Sequence, residues 1–122
     1  MLGPAVKVLS VERVESTALW HRYTMAKATQ EPASQLIAAG NEHETLIEAL
    51  LLDDLRNEKC LWHGCMSEEA ASMICEKGFD LSLARSGTFG AGCYFSSDPT
   101  TPLLRAGAVA SVGQRRTLLL VR

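Results

Sequence analysis

The stretch from Ser67 to Gly78, SEEAASMICEKG, carries more local instruction than any other in the chain. Ser67 offers a hydroxyl to the amides of a first helical turn, and Glu68 and Glu69 lie where the helix dipole is positive. Lys77 lies in the last turn and Gly78 suits the residue just past the end. Ala70, Met73 and Ile74 share one face, so this helix must rest on something apolar. Directly before it, KCLWHG is short, apolar and cut off by glycine, as a buried strand is. A strand that passes through glycine into a capped helix therefore anchors the reading, and the rest of the chain must supply partners for both.

Those partners are read from pattern. AVKVLSVERV alternates Val6 and Val8 with Leu9 and Val11 and is rich in β-branched residues, which predicts a first strand. Ser16 and Thr17 then offer capping oxygens to ALWHRYTMAKA, where Leu19, Trp20 and Tyr23 fall at helical spacing, so an amphipathic helix ending near Thr29 is expected. TQEPASQLIAAGNEHE, with a proline and a glycine among small polar residues, is expected to be an irregular connection with a turn of helix around Leu36 and Ile37. TLIEALLLDDLR places Leu46, Leu50 and Leu51 opposite Glu48, Asp53 and Asp54, a helix suited to lying on a sheet, with Asn57 as its stop. ARSGTFGAGCYFSSDP predicts a glycine-rich turn entering a strand at CYFS, and RTLLLVR predicts a final strand. Strands and helices mix without regular βαβ alternation and no repeat is visible, so the fold class expected is α+β.

The chain has 122 residues, the size of one compact domain. Apolar residues at 47% and charged residues at 21% are close to average globular usage and indicate neither disorder nor a fibrous repeat. A net charge of −2 exerts no general pull on nucleic acid or an anionic membrane. No apolar run is long enough to span a bilayer, and MLGPAVKVLSVERVE lacks a basic segment followed by a long apolar core. An intracellular protein, nuclear or cytoplasmic, is therefore expected. The four cysteines, Cys60, Cys65, Cys75 and Cys93, form no CxxC pair and suit free thiols in a reducing compartment. A zinc site joining them to His63 is the competing reading, although the spacing matches no standard template. Arg105, Arg115, Arg116 and Arg122 make the C-terminal segment basic, either as a solvated face or as a place for a phosphate or acidic acceptor.

Of the three histidines, His21 and His43 lie on predicted polar faces, and only His63 sits between an apolar strand and a glycine. A hydrogen-bonded structural imidazole and a ligand-binding one both fit that position. Gly64 favours the second, because without a side chain the main-chain N–H and C=O can meet a carboxamide. GTFGAG, with Gly87, Gly90 and Gly92, precedes a strand and has no Gly-Lys-Ser/Thr ending, so neither a dinucleotide fingerprint nor a Walker loop is present. It reads either as a turn needing positive φ or as a ligand-facing loop. Tyr94 follows, bracketed by Cys93 and Phe95 on the alternate face, so if those two pack inward or sideways its phenol faces the opposite way, where a ring facing a cleft could stack on a flat ligand.

Together LWHGC, KGFD and GTFGAGCYFSS resemble the catalytic domain of the poly(ADP-ribose) polymerase family, the diphtheria-toxin-like ADP-ribosyltransferases. VERVESTALWHRY and RNEKCLWHG resemble that family's entry strand, first helix and lead-in to its histidine strand, so the likeness runs from about Val8 to Arg122. The resemblance implies an ADP-ribosyltransferase-like split antiparallel sheet with flanking helices. It also implies a single domain over residues 1–122 that is partial and incomplete at the C-terminus. It further implies a site for NAD as substrate, with no metal. His63 would hydrogen-bond the adenosine ribose, the main chain of Gly64 would hold the nicotinamide carboxamide, and Tyr94 would stack on the nicotinamide ring. By the same resemblance Cys65, Phe95 and Ser96 would complete the NAD-binding set by position, and His63 and Tyr94 would be the catalytic pair.

The reaction so implied is displacement at the nicotinamide ribose carbon by an acceptor, through an oxocarbenium-like transition state of the glycosidase kind. A protein acceptor is expected, and no sequence feature supports a nucleic-acid one. The chain departs from the family in three places. Cys65 stands where threonine or serine is usual after His-Gly, no tyrosine follows Tyr94, and no glutamate follows Glu76, leaving Asp98 the sole acid after Tyr94. The resemblance thus places the third member of the site, often a glutamate, beyond Arg122. Three functions remain open on these residues: an NAD-dependent ADP-ribosyltransferase, a non-catalytic NAD- or ADP-ribose-binding module, and an inactive fragment serving as an interaction domain.

Overall fold

The computed structural model describes residues 6–30, 56–84, 86–105 and 114–122. Their elements run α1 (Thr17–Thr29), β1 (Leu61–Cys65), α2 (Glu68–Lys77), a 3-10 turn (Leu81–Leu83), β2 (Ser86–Gly87), β3 (Gly90–Ala91), α3 (Thr100–Arg105) and β4 (Thr117–Val121). The architecture is α+β. β1 pairs antiparallel with β4, setting His63 opposite Leu119 and Gly64 opposite Leu118. β2 and β3 form a separate small antiparallel pair, Ser86 opposite Ala91 and Gly87 opposite Gly90. The expected connection over TQEPASQLIAAGNEHE, apart from Thr29 and Gln30 at the end of α1, and nearly all of the helix expected at TLIEALLLDDLR lie outside the described residues.

α2 forms where its local signals are concentrated. The Ser67 hydroxyl accepts from the Ala70 amide at 3.1 Å, and the Gly78 amide donates to the Ile74 carbonyl at 2.8 Å. Gly78 has φ +83°, a backbone geometry that side chains resist, and a Cβ there would lie 3.2 Å from Leu19 Cδ2 of α1. The same joint carries a bond from Arg22 of α1 to the Lys77 carbonyl at 3.1 Å, which sets a cation against the negative end of α2.

α1 is capped by Ser16, whose hydroxyl accepts from the Leu19 amide at 3.2 Å. Its half-buried stripe is Leu19, Tyr23 and Lys27, four residues apart, whereas Trp20 remains 53% exposed. Arg122 lies over the Trp20 ring at 5.6 Å. Glu58, 8% exposed, pairs with both Lys27 and Arg122 and thereby joins α1 to the end of β4. Burial and the Glu58 charge raise the Tyr23 phenol above its ordinary pKa.

Two expected strands are corrected. Residues 6–16 carry no strand. Val6, Val8, Leu9 and Val11 are all more than half exposed, and β-branched preference has no effect where no neighbouring strand receives the ladder. At CYFS, residues 93–95 also fall outside any strand, and only Ser96 pairs, in an isolated bridge to Trp62. The final strand forms as expected, and Asn57 takes the left-handed φ of +54° that suits a helix stop. Among the described residues no helix is long and apolar enough to cross a membrane.

Candidate active site

β1 is used on both edges. β4 occupies one. On the other, the Trp62 amide donates to the Ser96 carbonyl at 2.7 Å and the Ser96 amide donates to the Trp62 carbonyl at 2.9 Å. Main-chain groups two residues apart on a strand project to the same edge, so the N–H and C=O of Gly64 face the side that Ser96 occupies beside Trp62. Antiparallel register would next set Tyr94 against Gly64, yet the pairing ends at the isolated bridge. The Tyr94 carbonyl instead lies 2.9 Å from His63 Nδ1.

That bond sets the histidine's chemistry. A carbonyl oxygen only accepts, so Nδ1 carries the hydrogen, and in the neutral ring Nε2 is left as an acceptor. The imidazole is half-buried between two phenylalanines. Phe79 stands edge-on to it at 4.9 Å and 83°, and Phe95 is tilted against it at 5.4 Å and 47°. Phe79 and Phe95 meet each other edge-on at 5.0 Å.

The Tyr94 phenol is engaged elsewhere, by the β2–β3 turn. Its hydroxyl donates to the Gly90 carbonyl at 2.6 Å and accepts from the Phe89 amide at 3.2 Å. A Cβ on Gly87 would lie 2.7 Å from the phenol carbon and oxygen, so the ring occupies the space that the missing side chain leaves. Gly90 turns the chain with φ +100°. GTFGAG is thus a turn with positive φ, and the same turn seats Tyr94.

Cys65 is 4% exposed, and burial first and the neighbouring Cys75 thiol second push its pKa up to about 11. It is a neutral packing group, not a nucleophile. The cysteines are free, and among the described residues no three potential ligands cluster for a metal. Asp98 accepts from the Thr100 amide at 2.8 Å at the start of α3, a bond that holds its carboxyl below the ordinary range. Its geometry is that of a turn-former. Arg116 donates to the Leu103 carbonyl at the end of α3, and Arg122 is bound to Glu58, so two cations of the basic segment serve the fold.

The structure brings together His63, Gly64, Tyr94, Phe95 and Ser96 along one edge of β1, with Cys65 beneath in the core. Pattern reading missed the place of Phe79 in this cluster. Its signal was KGFD, where the glycine that ends α2 turns the next residue back toward β1.

No curated protein sequence matches the chain. The family model for the poly(ADP-ribose) polymerase catalytic domain matches residues 3–120. With nearly the whole length matched, the chain belongs to the poly(ADP-ribose) polymerase catalytic-domain family, whose members are ADP-ribosyltransferases that use NAD as substrate.

Proposed function

We propose that this chain binds NAD along the Gly64 edge of β1 and transfers ADP-ribose to an acceptor, a protein, with release of nicotinamide. The observation that carries the reading is the break in pairing beside Trp62 and Ser96. Because the Tyr94 carbonyl goes to His63 Nδ1, the ladder does not close over Gly64, and its adjacent donor and acceptor match those of a carboxamide. His63 Nε2, an acceptor in this tautomer, suits a ribose hydroxyl, which has a hydrogen to donate. Phe95, 39% exposed, offers an apolar surface beside both.

In this reading the residues position more than they react. Gly64 holds the carboxamide of the leaving group, His63 fixes a ribose, and Tyr94, its hydroxyl held by the Phe89 amide and the Gly90 carbonyl, would offer the nicotinamide the ring face turned away from that turn. The reaction breaks the bond between nicotinamide nitrogen and ribose carbon and forms one from that carbon to the acceptor nucleophile, whose proton passes to water. Asp98, the sole acid after Tyr94 in the sequence, is committed at the start of α3 as acceptor of the Thr100 amide. A non-catalytic NAD- or ADP-ribose-binding module is the second reading, favoured by that same commitment of Asp98. An intracellular setting accords with the four free thiols.

The test is paired. Calorimetry with NAD is expected to show binding that His63→Ala removes, and incubation with labelled NAD is expected to release nicotinamide and label protein. Binding without label or nicotinamide would leave the binding-module reading, and no heat would end both.

A further inference from the structure

We infer that Phe79 is a positioning residue for His63, holding the imidazole so that Nδ1–H stays on the Tyr94 carbonyl and Nε2 is presented as an acceptor. The inference rests on the reading of this edge as an NAD site, and it adds the device that selects the hydroxyl-accepting face of the histidine. Three rings close on one another: His63 with Phe79 at 4.9 Å, His63 with Phe95 at 5.4 Å, and Phe79 with Phe95 at 5.0 Å. An edge-on contact at 83° restrains rotation of the imidazole about its own axis, the motion that would exchange Nδ1 for another atom opposite the Tyr94 carbonyl.

Phe79 is itself firmly mounted. On one side Gly78, at φ +83° and against Leu19 Cδ2, turns the chain out of α2. On the other, Asp80 accepts from the Ser82 amide at 2.9 Å and from its hydroxyl at 2.6 Å, capping the 3-10 turn that follows. A residue fixed between two caps has little backbone freedom, so its ring transmits that rigidity to His63. Phe95 cannot do this alone, because 39% of it remains exposed and its own backbone lies outside any strand.

The experiment uses the full chain labelled with 15N on its histidines. Long-range proton–nitrogen spectra of the wild type are expected to show His63 protonated on Nδ1 and bare on Nε2. Phe79→Leu, which keeps bulk but loses the ring edge, is expected to give a mixture of tautomers and to weaken NAD binding roughly 3- to 10-fold, as loss of one edge-on ring contact implies. Phe79→Tyr retains the edge and is expected to restore both. A wild type protonated on Nε2 overturns the inference whatever the variants do, and so does a folded Phe79→Leu protein with unchanged spectrum and affinity. If the wild type binds no NAD, the NAD reading falls, while the spectra still decide whether Phe79 sets the tautomer.

Discussion

At the scale of single residues, two glycines in the same turn separate space from strain. Gly87 has Tyr94 where its Cβ would be, at 2.7 Å, while Gly90 has φ +100° and nothing within 4 Å of the position a Cβ would take. Gly87→Ala must therefore expel the phenol from its bonds to the Phe89 amide and Gly90 carbonyl, costing about 1–3 kcal/mol and moving Tyr94. Gly90→Ala strains only the backbone, for about 1–2 kcal/mol, and leaves the ring in place. The expected outcome is that NAD affinity falls in the first variant and holds in the second, as titration calorimetry at a temperature where both are folded will show. Cys65 gives a second prediction. Buried, with its thiol pKa up to about 11, it should be the last cysteine to react with a thiol reagent at neutral pH, well after the half-buried Cys93. Peptide mapping of a labelling time course checks this, and early modification of Cys65 would contradict its assignment to the core.

At the scale of elements, the joint between α1 and α2 depends on Gly78. Gly78→Ala would place a Cβ 3.2 Å from Leu19 Cδ2 on a backbone at φ +83°, so a loss of roughly 1–2 kcal/mol is expected. Denaturant unfolding measures it, and the same variant should broaden the His63 signal if Phe79 is mounted as described. α2 and β4 were legible in the sequence because their instructions are local: Ser67, Glu68, Lys77 and Gly78 each act within one turn, and RTLLLVR is apolar enough to seek a partner strand. The strand expected at AVKVLSVERV was not, since alternation describes a face and cannot supply the neighbour that a ladder requires. The site was half legible for the same reason. His63 and Tyr94 could be named from motifs, but their bond spans 31 positions and exists only because Ser96 bridges Trp62. Phe79 enters through the geometry of a helix end, which composition does not reveal.

At the scale of the whole molecule, the described residues hold together through few deeply buried groups. Cys65 and Ala71 are buried apolar residues, while Val11, Leu81 and Phe89 are 88%, 74% and 90% exposed. With so little apolar burial among the described residues, polar ties between distant segments gain weight, and Glu58 makes one of them. It reaches Lys27 on α1 and Arg122 after β4, two segments that also meet where Arg122 lies over Trp20. Burial alone would raise the Glu58 carboxyl, but hydrogen bonds from Lys27 and Arg122, with their charges, outweigh it and leave the pKa below the ordinary carboxylate value. A carboxyl depressed on folding binds fewer protons in the native state than in the unfolded one. Its contribution is therefore complete above the unfolded value of about 4.3 and is lost as pH falls through the lower folded value. Glu58→Gln keeps the shape and removes the charge, so it should cost roughly 1–3 kcal/mol at neutral pH. It should cost progressively less as pH falls below the unfolded carboxylate value, and least once the wild type's own carboxyl is protonated in the folded state. Thermal unfolding of both proteins across that range reads the difference directly. Melting curves that stay separated by a constant interval from neutral to acid pH would show that Glu58 packs without acting as the ionic tie between α1 and β4.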